Sequence, residues 1–140
     1  MKKDKIYIDT NVFVALHFSG HKFYDLALNL KKRFIGNKLY LGFLTIDEIL
    51  YTLSKYKISK KDSINIIKRG IVNSSDVTIL PSPFESSEVL DYLYTYKKTS
   101  LKPRDSLHLY LMKINKIKKI ATFDNDFIKK QKELGIEVLN

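Results

Sequence analysis

Residues 5–11 read Lys5-Ile6-Tyr7-Ile8-Asp9-Thr10-Asn11. A β-prone run passes without a break into an acid, a hydroxyl and an amide, the residue types that start helices. This is a strand ending at Ile8 with a helix beginning directly after it. Four more short apolar or β-branched runs follow, at residues 38–41, 77–80, 119–122 and 136–139. The segments between them carry helical periodicity. Residues 45–56 place Ile46, Ile49, Leu50 and Leu53 on one stripe, and residues 59–73 do the same with Ile64, Ile67 and Ile71. Residues 84–97 carry Val89, Leu90, Leu93 and Tyr94, and residues 104–115 carry Leu107, Leu111 and Met112.

The punctuation agrees with this reading. Gly36 and Gly135 stand where helix C-terminal caps are expected, and Ser59 where an N-cap is. Ser82, with Pro83 next and Glu85 at capping-box spacing, predicts another helix start. Strands separated by helices imply an α/β fold: a three-layer α/β/α sandwich around a mostly parallel sheet of about five short strands. Right-handed crossovers put helices on both faces. In such sheets chemistry gathers beyond the carboxyl ends of the strands, where strand order reverses.

The length of 140 residues fits one domain, residues 1–140, and a 44% hydrophobic content is enough for a core without staples. The absence of cysteine excludes disulfides and thiolate metal sites. With three histidines, a His-rich zinc site is disfavoured, and any metal is expected to be held by oxygen, as Mg²⁺ or Mn²⁺ are. No stretch approaches the roughly 20 apolar residues of a membrane span, and the N-terminus lacks a signal-peptide pattern; no membrane association and a cytoplasmic location are expected. The net charge of +10 favours a polyanionic partner, although a Lys-rich surface also suits a solvated exterior.

Four acids occupy the edge where chemistry is expected. Asp9 ends the first strand, and Asp124 follows the fourth in Thr122-Phe123-Asp124-Asn125-Asp126. Glu48 is expected in the first turn of one helix, and Asp105 in the first turn of the helix opened by Pro103. Each has an ordinary alternative. Asp9 can cap a helix, Thr45-x-x-Glu48 has capping-box spacing, Asp105 suits a helix dipole, and Asp124 can form an Asx-turn. Together, with Asp126 close by, they form a cluster that would repel itself unless a cation compensates it. His108 shares a helix face with Asp105 and offers a group to help orient the site, although a packed or solvent-facing ring is the stronger expectation. Lys55, Lys57, Lys60, Lys61, Lys102 and Arg104 form a candidate RNA-facing rim, and Tyr51 and Tyr56 flank its Lys-rich turn. Phe13, Phe18, Phe23 and Tyr24 are a candidate apolar patch for docking.

At these residues the chain resembles the PIN domain nucleases, specifically the small VapC-like toxins of prokaryotic toxin–antitoxin pairs. Asp9-Thr10-Asn11, Glu48, Asp105-Ser106-Leu107-His108 and Thr122-Phe123-Asp124-Asn125-Asp126-Phe127 look like the family's four motifs in order, and the resemblance covers essentially the whole chain. It implies that Asp9, Glu48, Asp105 and Asp124 are catalytic, metal-binding acids, with Asp126 a further ligand and Asn11 and Thr122 in support. It also implies Mg²⁺- or Mn²⁺-dependent hydrolysis of RNA, a VapB-like antitoxin partner and a homodimer. Asn11 stands where many members have Ser or Thr. An RNA-processing nuclease and an inactive RNA- or protein-binding module are the alternatives. An aspartyl-phosphate phosphatase needs an acid two residues after Asp9, where Asn11 stands, and a phospho-receiver needs a strand-end lysine that residues 122–124 do not supply.

Overall fold

Successive residues of a strand face opposite sides of its sheet, and this chain buries both sides. Ile6 and Ile8 join one core cluster while Tyr7, between them, joins another. Leu41, Ala121 and Leu139 share the first face; Tyr40, Ile120 and Val138 share the second. Near-continuous apolar strands of this kind belong to a parallel sheet covered on both faces.

The computed structural model describes residues 3–140. Its strands are β1 (Lys5–Ile8), β2 (Lys38–Gly42), β3 (Val77–Leu80), β4 (Lys119–Ala121) and β5 (Glu137–Leu139). They form one five-stranded sheet in the order β3-β2-β1-β4-β5, with every neighbouring pair parallel. The helices are α1 (Thr10–Leu16), α2 (Tyr24–Lys31), α3 (Phe43–Lys55), α4 (Lys60–Ile67), α5 (Ser86–Lys98), α6 (Pro103–Ile114), α7 (Asn125–Lys129) and α8 (Gln131–Leu134). Val12, Phe13, Leu30, Ile49, Leu53 and Ile67, from α1 to α4, pack on the first face. Leu109, Leu111 and Met112 of α6, Phe127 of α7 and Leu134 of α8 pack on the second. The result is the three-layer sandwich expected from the sequence.

The chain runs from β1 outward through β2 to β3, then returns to place β4 on the other side of β1. The order therefore reverses between β1 and β4, whose register pairs Ile8 with Ala121. Their continuations, Asp9 and Thr122, lie side by side at the carboxyl edge, where the Asp9 N–H donates to the Ala121 carbonyl at 3.0 Å.

Three local expectations need correction. The helix expected to start near Ser82 begins at Ser86, with Glu85 in the N-cap position. The helix expected over residues 59–73 ends at Ile67 and continues as a π turn, Lys68–Val72. That widened turn lies where Gly70 approaches Phe13, whose Cε2 would stand 2.9 Å from a Cβ at position 70. Finally, α3 begins two residues earlier than the Thr45 start, so Glu48 lies in its second turn. Thr45 does act near the cap: its Oγ1 accepts the Gly42 N–H at 3.2 Å.

Candidate active site

Three of the acids, Asp9, Asp105 and Asp124, sit in the local structure that their sequence suggested. Asp9 is the N-cap of α1. Its Oδ1 accepts the Thr10 N–H at 2.8 Å and its Oδ2 accepts the Thr122 hydroxyl at 2.6 Å. Asp124 is the N-cap of α7, with Oδ1 accepting the Asp126 N–H at 2.8 Å. Asp105 is in the first turn of α6, where the helix dipole favours a carboxylate. For Asp9 and Asp124, cap and site are therefore not competing readings, because capping fixes where the carboxylate points.

Asn11 and Thr122 tie the two strand ends together. Thr122 Oγ1 accepts the Asp124 N–H at 3.0 Å and the Asn11 amide at 3.4 Å, while Asn11 Oδ1 accepts the Phe123 N–H at 3.2 Å. The Asn11 side chain thus donates to one strand end and accepts from the turn that carries Asp124.

Asp9, Glu48, Asp105 and Asp124 line one crevice of about 220 Å³, together with Thr10, Asn11, Val14, His21 and Thr52. Asp105, Asp124 and Asp126 each bring a carboxylate oxygen within 4.8 Å of the others. Asp126 thus adjoins the site from the α7 side rather than lining the crevice. Asp47, beside Glu48, is exposed and turned away, as expected. Lys102 and Arg104 are exposed on either side of Pro103, immediately before Asp105, and Lys55 and Lys57 flank Tyr56. Lys60 and Lys61 are exposed in the first turn of α4.

The electrostatics are those of like charges brought together. Burial pushes the Asp105 carboxyl up to about 6, and the Asp124 and Asp9 charges push the same way against an opposing His108. Burial also raises Asp9, opposed by His108 and by the donors Thr122 and Thr10. For His108, burial acts downward, but the Glu48 hydrogen bond and the charges of Asp9, Glu48 and Asp105 outweigh it, so its affinity for a proton rises.

His108 departs most from expectation. It is packed, at 1% exposure, yet both ring nitrogens are engaged at the site: Nε2 lies 2.6 Å from Glu48 Oε1 and Nδ1 lies 2.6 Å from Tyr7 Oη. Its three-residue spacing from Asp105 was the available signal. Tyr7 carried none, being one apolar position of a buried strand. His21, also missed, lines the crevice and accepts the Phe23 N–H at its Nδ1, 3.1 Å away.

The four-residue spacing of Glu48, Thr52 and Tyr56 leads along α3 from the crevice to a rim of rings. Tyr56, 54% exposed, stacks on Phe18 with centroids 5.6 Å apart and meets His21 at 6.4 Å. His21 meets Phe23 at 5.9 Å, and Phe23 meets Phe123 at 4.8 Å, beside Asp124. The expected apolar patch is thus revised: Phe13 is buried in the core, and Phe18 and Phe23 belong to this rim.

Comparison with solved structures finds the same architecture in small toxins. The VapC20 toxin of Mycobacterium tuberculosis, described as sarcin–ricin loop cleaving, superposes with a TM-score of 0.69 at 15% identity, covering 89% of this chain and 93% of that one. VapBC2 of Rickettsia felis, bound to a DNA fragment from its promoter, gives 0.66 at 17% identity over 97% and 98% of the two chains. FitAcB of Neisseria gonorrhoeae gives 0.65 at 16% identity over 96% of each. At these identities the likeness is one of fold. Comparison with curated proteins gives no match. The PIN domain family model matches residues 6–133, from β1 past α7, a span that contains every acid of the crevice. By that match, and with the fold and strand-end acids that accompany it, the chain belongs to the PIN domain family.

Proposed function

We propose that this protein is a metal-dependent endoribonuclease that hydrolyses RNA phosphodiester bonds, that residues 1–140 form its single nuclease domain, and that it acts as the toxin of a toxin–antitoxin pair. One observation carries the reading: a chain of net charge +10 gathers Asp9, Glu48, Asp105 and Asp124 around one crevice. Nothing about folding alone calls for that concentration of like charge; the Asp105 carboxyl is raised first by burial and further by the charges of Asp124 and Asp9.

The donor set fits a hard divalent cation. It offers carboxylate oxygens and no thiolate; those of Asp105, Asp124 and Asp126 lie within 4.8 Å of one another, while Asp9 and Glu48 line the same crevice as Asp105 and Asp124. In this reading Asp9, Glu48, Asp105 and Asp124 hold Mg²⁺ or Mn²⁺, with Asp126 contributing through water. When bound, such an ion acidifies a water and polarises a phosphoryl oxygen. Asn11 and Thr122 keep Asp9 and the Asp124 turn in place. Lys55, Lys57, Lys60, Lys61, Lys102 and Arg104 draw the phosphate backbone, and the rim at Tyr56 offers a ring face on which an unpaired base can stack.

The toxin assignment is supported by family membership and by the toxin structures that share the fold over nearly their whole length. It carries with it a VapB-like antitoxin partner, a homodimer and a cytoplasmic site of action. No described helix is long and apolar enough to cross a membrane. Helix α5 has no buried residue and exposes Leu90, Leu93 and Tyr94, an apolar face suited to cover by a second copy.

Asp9→Asn tests the reading. The amide keeps the shape of the cap and removes the charge. Mn²⁺-supported cleavage of labelled RNA should fall by about 10³-fold, the size expected when several kcal/mol of charge stabilisation is lost. Undiminished cleavage by a folded Asp9→Asn protein would reject the site.

A further inference from the structure

Glu48 reaches the crevice from the second turn of α3 on a long side chain with three rotatable bonds, yet its position is defined. His108 Nε2 is 2.6 Å from Oε1, and Thr10 Oγ1 is 3.4 Å from the same oxygen. Among the described residues, Oε2 accepts no hydrogen bond. A carboxylate only accepts, so Nε2 carries the proton in this contact whatever the charge of the ring. The other nitrogen is also committed, to Tyr7 Oη at 2.6 Å, with the two rings edge to face at 5.5 Å. His108 and Tyr7 are both buried, at 1% and 0% exposure, so neither reaches a substrate.

The seat of Tyr7 is specific as well. A Cβ at Gly42 would stand 3.0 Å from Tyr7 Oη and 2.7 Å from Leu111 Cδ1. Only a residue without a side chain lets the phenol sit beneath the ring of His108. Glu48 Oε1, on α3, is thus met directly from α6 by His108 and from α1 by Thr10, while Tyr7 of β1 supports the His108 ring from behind.

We propose that Tyr7 and His108 are positioning residues that clamp Glu48 by Oε1 and leave Oε2 as its single oxygen for the cation of the acid crevice. The clamp rests on the metal-dependent reading above and adds to it how Glu48 binds: through one oxygen, in a direction set from the opposite face of the sheet. Groups hydrogen-bonded behind metal ligands commonly change metal affinity 10–100-fold when removed.

The experiment measures Mn²⁺ binding to the metal-free protein by calorimetry, with RNA cleavage as a secondary readout. The chains compared are wild type, His108→Leu, His108→Gln, Tyr7→Phe and Asp9→Asn. His108→Leu removes the donor to Glu48 and should weaken Mn²⁺ binding about 10–100-fold. His108→Gln places an amide N–H near the position of Nε2 and should recover most of that loss, which a role confined to core packing would not produce. Tyr7→Phe frees the ring from its second anchor and should weaken binding by a smaller factor. Wild-type affinity in folded His108→Leu overturns the clamp while leaving the metal site standing, provided Asp9→Asn binds poorly. If His108→Leu does not fold, Tyr7→Phe and His108→Gln decide: wild-type affinity in Tyr7→Phe, or a full loss in His108→Gln, overturns it. Failure of the wild type itself to bind millimolar Mn²⁺ overturns the metal-dependent reading, and the clamp with it.

Discussion

Asp105 shows what the crevice costs at the level of one residue. Its carboxyl is pushed up to about 6 in the folded protein, first by burial and then by Asp124 and Asp9, whereas the unfolded chain has the ordinary value of 3.8. Between those values the folded state holds a proton that the unfolded state has released. The contribution of Asp105 is therefore most favourable below about 4 and is lost as pH rises to about 6. Metal-free protein should lose stability across that window, and saturating Mg²⁺ should flatten the loss because the ion favours the ionised carboxylates. Urea titrations at pH 4.5 and 6.5, with and without Mg²⁺, measure it; Asp105→Asn should reduce the slope, leaving the part due to Asp9, which burial also raises. Thr122 makes a second single-residue case. It is fully buried, donates to Asp9 and accepts from the Asp124 N–H. Thr122→Val leaves both groups unpaired and should cost about 1–3 kcal/mol, while Thr122→Ser should cost much less. Sequence reading reaches Asp9 and Asp124 because strand-end acids have a recognisable local setting. It misses the role of His108 because the partners of that ring, Glu48 and Tyr7, are 60 and 101 residues away in the chain.

Whether an element's end can be read depends on whether its chemistry is local. Gly36 and Gly135 adopt positive φ, 81° and 68°, where glycine meets no Cβ penalty. Gly135 is the helix stop that the sequence suggests, at the C-cap of α8, whereas α2 already ends at Lys31 with Lys32 as its C-cap, so Gly36 serves the turn before β2 instead. Helices α3 and α6 end differently. Lys57 and Lys116 take up the left-handed conformation at φ 60° and 56°. Behind them, the Ile58 N–H reaches the Leu53 carbonyl at 3.1 Å and the Ile117 N–H reaches the Met112 carbonyl at 2.8 Å. No propensity rule nominates lysine for that position. It is imposed by Ile117, which must turn back into the core, where it is 2% exposed. The strain is measurable. Lys116→Gly removes a left-handed L-residue costing about 1–2 kcal/mol, against the extra chain entropy of glycine, roughly 0.5–1 kcal/mol. A net gain of up to about 1 kcal/mol is expected in urea denaturation. A loss of stability would mean that the Lys116 side chain supports the turn by contacts of its own.

For the whole molecule, the question is how a chain of net charge +10 presents an acidic crevice to a polyanion. The two fields have different ranges. On the proposed function, lysines spread over the surface would attract RNA from a distance of about a Debye length, roughly 8 Å at physiological salt, and more weakly beyond it. The carboxylates act on the one or two phosphates that reach them. Affinity should thus come mainly from the basic residues and be salt-dependent, with log K falling linearly in log salt at about 0.7 per phosphate contacted on a single strand. Lys102 and Arg104 stand next to Asp105 on the lip of α6, so they should contact the phosphates nearest the acids. Neutralising both, as Lys102→Gln with Arg104→Gln, should lower that slope by about 1.4 if each covers one phosphate. Binding is best measured with an uncleavable or 2′-modified single strand across a range of KCl concentrations, so that turnover does not intervene. The same pair of substitutions made at Lys60 and Lys61, in α4, serves as the comparison. Equal drops in slope at both pairs would describe a diffuse basic surface. A drop confined to Lys102 and Arg104 would describe a track aimed at the crevice. An unchanged slope in both would remove the basic rim from the account and leave the rings at Tyr56 and Phe123 to hold the strand, with an affinity that salt barely alters.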